Sequence, residues 1–468
     1  MKKAILVSWV GLIVFFSALP VFAADLKFSG DFRARAFYHE NITDAYDTGT
    51  TGAPCAGAPT NCNDQVAYNS LRFLLTTTAT AGLATGVVTL DFTSQSNSGN
   101  LRMGGGGDGA LEPDIPVGPA DDRFALVEAY IKADLRVATF SAGRQAFKLG
   151  HGIIFDDPAD GLFLEVPLGP LKLTAANLKL RDNTDTGVVF IGNTTTEGTG
   201  SDTDFYVGNF SLRPMADMAT NLFFGYYNDR GPNLVTLGAA TGMPLGTDDF
   251  SVFLVGATAD ANMGPLTLGA EIDYLTGSVT NPGGSEPDLD GLNVQLSGGM
   301  GVGPANVGLT FLYASGDDPA DADININGLD GNYATGFILT NSGARSLQPK
   351  DGTCLSAPDG ARLGGAADCI AGSGLLAIKG TGSISPVERL SLQGDIIYAR
   401  SSEDRSAGNP DNDVGIELDG TARYKLDDNF SLMGGIAYLI TGDWWKTASA
   451  NPDTDNIILL VGEMSFHF

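Results

Sequence analysis

Residues 455–468 read DNIILLVGEMSFHF, and their alternation decides the fold. Ile458, Leu460, Gly462, Met464, Phe466 and Phe468 share one parity, while Glu463, Ser465 and His467 share the other. Side chains along a strand alternate between faces, so this is an apolar face backed by a polar one, closing on an aromatic residue. A terminal strand of this kind resembles the C-terminal signature of bacterial outer-membrane β-barrels. The opening residues agree with export. Lys2 and Lys3 precede an apolar run from about Ala4 to Leu19, followed by Val21-Phe22-Ala23. That order predicts a signal peptide over 1–23, cut after Ala23 or one residue later, with 24–468 forming the barrel.

The same period extends backwards through the chain. Residues 25–40, DLKFSGDFRARAFYHE, place Leu26, Phe28, Phe32, Ala34, Ala36 and Tyr38 on one face and Lys27, Asp31, Arg33 and Arg35 on the other. Similar segments fall near 66–79, 83–95, 122–134, 137–149, 160–167, 171–181, 203–213, 218–228, 249–261, 265–277, 288–301, 305–315, 374–385, 388–400, 412–426, 430–441 and 455–468. This predicts an all-β, transmembrane antiparallel barrel of eighteen strands. The parity of 137–149 and 160–167 is ambiguous, so sixteen strands is the alternative count. Connections alternate between short ones, such as Asn262–Gly264, and long ones such as 41–65, 150–159 and 316–373. Short periplasmic turns and long extracellular loops are the pattern of bacterial barrels. No apolar run after Ala23 approaches the roughly 18–20 residues of a membrane helix.

The chain has 468 residues and a formal net charge of −28. An acidic excess of this size argues against nucleic-acid binding and suits loops facing water and cations. The four cysteines fall into two local pairs, Cys55/Cys62 and Cys354/Cys369, which in an exported chain predict disulfides. Asp323-x-Asn325-x-Asn327-Gly328 has the oxygen spacing of a calcium loop, though Ala334 stands at the twelfth place. That makes Ca2+ at an extracellular loop the one cofactor the sequence suggests. The histidines are His39, His151 and His467, and there is neither a Gly-x-Ser-x-Gly elbow nor a His-Glu-x-x-His motif. We expect no catalysis.

An eighteen-strand barrel encloses a lumen wide enough for water. A charge facing lipid costs about 2–4 kcal/mol at mid-membrane, so the charged residues of the polar parity are assigned inward. The predicted pore lining is Arg33, Arg35, Arg72, Asp91, Glu128, Lys132, Arg144, Glu271, Asp273, Arg389, Asp395, Glu417, Asp419 and Arg423.

Residues 122–181 contain Glu128-x-Tyr130, Gly143-Arg144-Gln145, Gly150 and Asp160-Gly161. With the opening FSGDFRARAFYHE, these resemble the alginate-export family of outer-membrane barrels. The resemblance implies an eighteen-stranded barrel with an arginine-rich lumen that includes Arg33, Arg35, Glu128 and Arg144. The expectation is a porin-like channel in the outer membrane of a Gram-negative bacterium, passing ions or small hydrophilic solutes, with membrane lipid and a homo-oligomer among its partners. The acidic excess favours cations or neutral solutes at the mouth. The alternatives are a barrel plugged by loop 316–373 that presents a structural, adhesion or metal-binding surface, and an exporter of an anionic polysaccharide.

Overall fold

The computed structural model describes residues 25–41, 66–96, 125–181, 203–229, 249–280, 286, 288–318, 324–329, 333, 335–339, 355–356, 362–363, 373–404, 411–445 and 455–468. The predicted signal segment and Asp323 lie outside the described residues. So do both members of each expected disulfide, Cys55 with Cys62 and Cys354 with Cys369, and no disulfide occurs among the described residues.

Eighteen strands form the wall: β1 Asp25–Glu40, β2 Val66–Ala81, β3 Ala84–Ser96, β4 Ala125–Asp134, β5 Thr139–Lys148, β6 Asp156–Leu168, β7 Leu171–Arg181, β8 Thr203–Met215, β9 Met218–Asp229, β10 Asp249–Met263, β11 Leu266–Thr280, β12 Asp288–Val302, β13 Ala305–Ala314, β14 Leu375–Val387, β15 Leu390–Arg400, β16 Asp413–Lys425, β17 Phe430–Thr441 and β18 Ile457–His467. Each pairs antiparallel with its neighbours in sequence. β1 pairs with β18 from Asp31↔His467 to Glu40↔Ile458, so the sheet closes. The count is eighteen rather than sixteen, because β5 and β6 pair in continuous register from Thr139↔Glu165 to Lys148↔Asp156.

Closure satisfies every sheet edge, which is what a strand structure needs in lipid. The last residue takes part: Gly30 N donates to Phe468 O at 2.9 Å and Phe468 N to Gly30 O at 3.0 Å. Outside, one parity forms an apolar belt. Phe32, Leu162, Leu164, Phe224, Phe253, Val255, Ile272, Leu296, Leu309, Ile396, Ile436, Met464 and Phe466 are exposed on it. Aromatic contacts tie neighbouring strands along the belt, such as Phe73–Phe92 at 5.7 Å and Tyr226–Phe253 at 4.5 Å between centroids. A face this apolar is stable only against lipid.

Inside, the structure differs from the expected open lumen. Alternation places 150–159 in an extracellular loop; the segment 149–155 turns inward instead, and β6 begins at Asp156. Leu149, Ile153, Ile154 and Phe155 are buried. The described residues of 316–373 also include inward segments. Ile324–Asn325 adds a short parallel strand to Leu289–Asp290 of β12, and residues 335–339 lie against β16. Together these segments build two apolar clusters. One gathers Phe37, Ile153, Ile338, Leu339, Leu375, Ile397, Leu439, Trp444, Trp445, Leu459 and Val461. The other gathers Leu149, Ile154, Phe155, Phe163, Leu178, Phe205, Val252, Leu254, Leu275, Leu289 and Ile326. The adjacent side chains of Ile153 and Ile154 thus enter opposite clusters, and the segment bridges the lumen. Leu329 N donates to Ile154 O at 3.0 Å and joins the two inward segments.

Candidate functional site

The bridging segment is held by polar anchors on the far wall. His151 N donates to Glu271 Oε2 at 2.6 Å. The imidazole of His151 lies 2.7 Å from Gln295 Oε1 through Nδ1 and 3.1 Å from Asp260 Oδ1 through Nε2. Glu271, Gln295 and Asp260 belong to β11, β12 and β10, so a segment that leaves β5 docks on strands well around the barrel. Gly150 makes the approach feasible. Its φ is +54°, and a Cβ there would collide with the Glu271 carboxylate.

The second inward segment uses the same device. Ile338 N and Leu339 N donate to Glu417 at 2.7 and 2.8 Å, and Phe337 N donates to Asp419 Oδ2 at 3.3 Å. A Cβ on Gly336 would press on Glu417 Oε2 at 2.6 Å. In both places a wall carboxylate replaces the strand partner that an inward backbone lacks. Buried N–H groups require an acceptor, and an ionised carboxylate is a strong one. Lys379 Nζ donates to Thr335 O at 3.0 Å and sits 3.4 Å from Asp395 Oδ2.

Neither cluster includes a residue from β2, β3 or β4, nor, from β1, any residue but Phe37. The inner face of that sector is charged. Arg33 faces Arg72 across β1 and β2, and Arg35 stands one row above. Arg35 Nε donates to Glu463 Oε2 at 2.7 Å, with both side chains nearly fully buried. Arg72 binds Asp91 at 2.8 Å. Glu128 accepts from Thr89 Oγ1 at 3.1 Å and Ala146 N at 3.2 Å. Arg423 lies 3.8 Å from Glu463 and completes the group from β16. Lys132, beside Ser141 of β5, lies on the same inner parity towards the short-turn end.

Two of the predicted lining residues stand elsewhere. Arg144 shares its parity with exposed Phe140, and Asp160 and Lys179 follow it in register across β6 and β7. Its guanidinium, 3.8 Å from Asp160, belongs to the outward face, where Lys179 also bonds Asp204 at 3.1 Å. Arg389 falls in the turn before β15 and donates to Leu426 O at 2.6 Å, because that strand starts two residues later than its alternation suggests. Of the predicted calcium residues, Asn325 and Asn327 are described. Asn325 N donates to Asp317, and Asn327 is buried with its side-chain amide on Ser315 O at 2.8 Å. Among the described residues, no three His, Cys, Asp or Glu side chains form a metal-ligand set. The reading of sequence missed His151, Asp260 and Gln295 as the anchors of the bridge. The signal was present: a lone histidine between two glycines, Gly150-His151-Gly152, inside an apolar run.

The fold and its inner wall define a class: a transmembrane β-barrel whose lumen is partly filled by its own loops. Solved structures carry the same architecture. The chain is similar to OpdL of Pseudomonas aeruginosa, with a TM-score of 0.53 and 12% identity, covering 95% of this chain and 99% of that one. It is similar to a BenF-like porin from Pseudomonas fluorescens Pf-5, with a TM-score of 0.52, 12% identity, and 94% and 98% covered. It is also similar to OccAB1 of Acinetobacter baumannii, with a TM-score of 0.53, 13% identity, and 95% and 97% covered. No family model and no curated protein matches the sequence. At these identities the likeness is one of fold.

Proposed function

We propose that the chain is a porin-like channel of a Gram-negative outer membrane, passing ions or small hydrophilic solutes by passive diffusion. One observation carries the reading. Among the described residues, inward segments pack against the wall from β5 to β18, while the wall from β1 to β4 keeps a charged face with no part in either apolar cluster beyond Phe37. Among the described residues, a charged sector beside an apolar one favours a polar path along the β1–β4 wall, where fixed charges would select what enters. The porins among the similar structures support the same reading. Transport of this kind uses diffusion alone, and no catalytic step is assigned.

Two other readings draw on particular observations. The facing Arg33 and Arg72, together with the resemblance of 122–181 to the alginate-export family, favour an exporter of an anionic polysaccharide. The inward segments of 316–373 favour a plugged, structural barrel. Liposome swelling with the purified protein separates the three. Swelling in small neutral sugars, falling as sugar size rises, is the expected result. Swelling that is blocked by an anionic oligosaccharide points to the exporter. Liposomes that do not swell in any solute contradict the channel.

A further inference from the structure

The two acidic pairs of the wall are not equivalent. Glu417 receives two backbone N–H groups and Asp419 a third. Glu271 receives the His151 backbone N–H and the edge of its ring, both on Oε2. Its Oε1 is buried without a hydrogen-bond partner, and so are both carboxylate oxygens of Asp273. Asp273 has no exposed surface at all. The two carboxylates are close enough to bond each other through one shared proton, and a bound cation would displace that proton. The His151 ring also reaches Gln295 and Asp260, and Lys148 is bound by Asp156 at 2.9 Å.

Two amide oxygens in the same neighbourhood are also buried and unpartnered, Asn293 Oδ1 and Asn327 Oδ1. Asn293 is the register partner of Asp273 across β11 and β12. Its Nδ2 donates to Asn327 O at 2.9 Å, and Asn327 Nδ2 donates to Ser315 O at 2.8 Å. These bonds to carbonyls fix which end of each amide is nitrogen, so the unpartnered atoms are oxygens. Five buried acceptors without a donor is a deficit that a native interior fills. The acceptors are all oxygen and include two carboxylates, while the neighbouring imidazole of His151 is shared with Gln295 and Asp260. That is the ligand chemistry of a hard cation with six to eight oxygen ligands.

We propose that Glu271, Asp273, Asn293 and Asn327 form a buried binding site for a divalent cation of the Ca2+ class. The ion would tie the segment carrying Asn327 to the β11–β12 wall, beside the bridge that docks on Glu271. This site differs from a loop site built on Asp323, Asn325 and Asn327, because its charge comes from the barrel wall.

The test is equilibrium dialysis of radioactive Ca2+ against the refolded full chain in detergent, in physiological NaCl to suppress weak binding by the acidic loops. Thermal unfolding is followed in parallel with and without Ca2+. The wild type is expected to retain about one equivalent more than Asp273→Asn, and only the wild type should melt higher with Ca2+. Asn293→Ala keeps both carboxylates and serves where Asp273→Asn fails to fold; it is expected to weaken that equivalent by roughly tenfold or more. Equal Ca2+ retention by the wild type and both folded variants would overturn the site, as would a melting shift shared by all of them. Neither readout depends on conduction, so failure here leaves the channel reading intact.

Discussion

At the scale of single residues, buried charges are placed where the backbone needs them. Glu417 stands where two amide groups of the inward segment would otherwise be orphaned. Glu417→Ala strands both donors, at a cost of about 1–3 kcal/mol each. Because the loss is local, hydrogen exchange at Ile338 and Leu339 should accelerate strongly while the wall strands stay protected. Uniform acceleration across β15–β17 would mean that Glu417 supports the barrel rather than the segment. Arg35 and Glu463 make a different kind of pair, since both lie inside the wall. Removing one partner of a buried pair typically costs about 3–5 kcal/mol, because the other charge is left uncompensated. Arg35→Ala is therefore expected to lower the unfolding midpoint in denaturant more than Glu463→Gln with Arg35→Ala does. Equal destabilisation would show that Arg423, at 3.8 Å, already compensates Glu463. These roles were only partly legible in the sequence. Alternation places Glu271, Asp273, Glu417 and Asp419 on the inner parity, but no local pattern names a partner 78 to 120 residues away. Arg144 was misread because its strand carries Gly143 at a φ of +118° and its alternation is weak on both sides.

At the scale of elements, strand number and turn placement were readable because lipid imposes a strict period of two on one face. Filling of the lumen entered the sequence reading only as the alternative of a plug from 316–373, and the inward turn of 149–155 was not read, although the strands record a filled lumen. In β18, Ile457, Leu459 and Val461 point inward and are buried, while Leu460 and Met464 point outward and are exposed. The run IILLV is apolar on both parities, and this marks a strand buried on two sides. β10 and β17 show the same in SVFLV and IAYLI. Each run lies towards the long-loop end, at the level of the two clusters, while charge returns below. The bridging element depends on Ile153 and Ile154 entering opposite clusters. Truncating either to alanine should cost about 2–5 kcal/mol at the site. Residues 150–154 are held to the wall by side-chain packing and a carboxylate rather than by strand pairing, so the expected outcome is proteolytic cleavage within 149–155 at an unchanged melting temperature. A lowered melting temperature with the segment still protected would show that the bridge is part of the barrel's own stability.

At the scale of the whole molecule, the described residues divide the barrel's inner wall into an apolar side and a charged side. The excess of acid, 55 Asp and Glu against 27 Lys and Arg, favours cations near the loops. The arginines of β1 and β2 oppose this deeper in. Arg33→Ala is expected to move the reversal potential in a salt gradient towards cations, with the shift shrinking at high ionic strength as screening shortens the field to about 3 Å near 1 M. An unchanged reversal potential would place the narrowest passage away from Arg33. The most direct measurement compares single-channel conductance in planar bilayers for the native chain and for a variant with residues 150–154 replaced by Gly-Ser. A barrel whose passage is narrowed by that bridge gives discrete steps in the native form and clearly larger ones in the variant. Steps of equal size in both, or none in either, would contradict it.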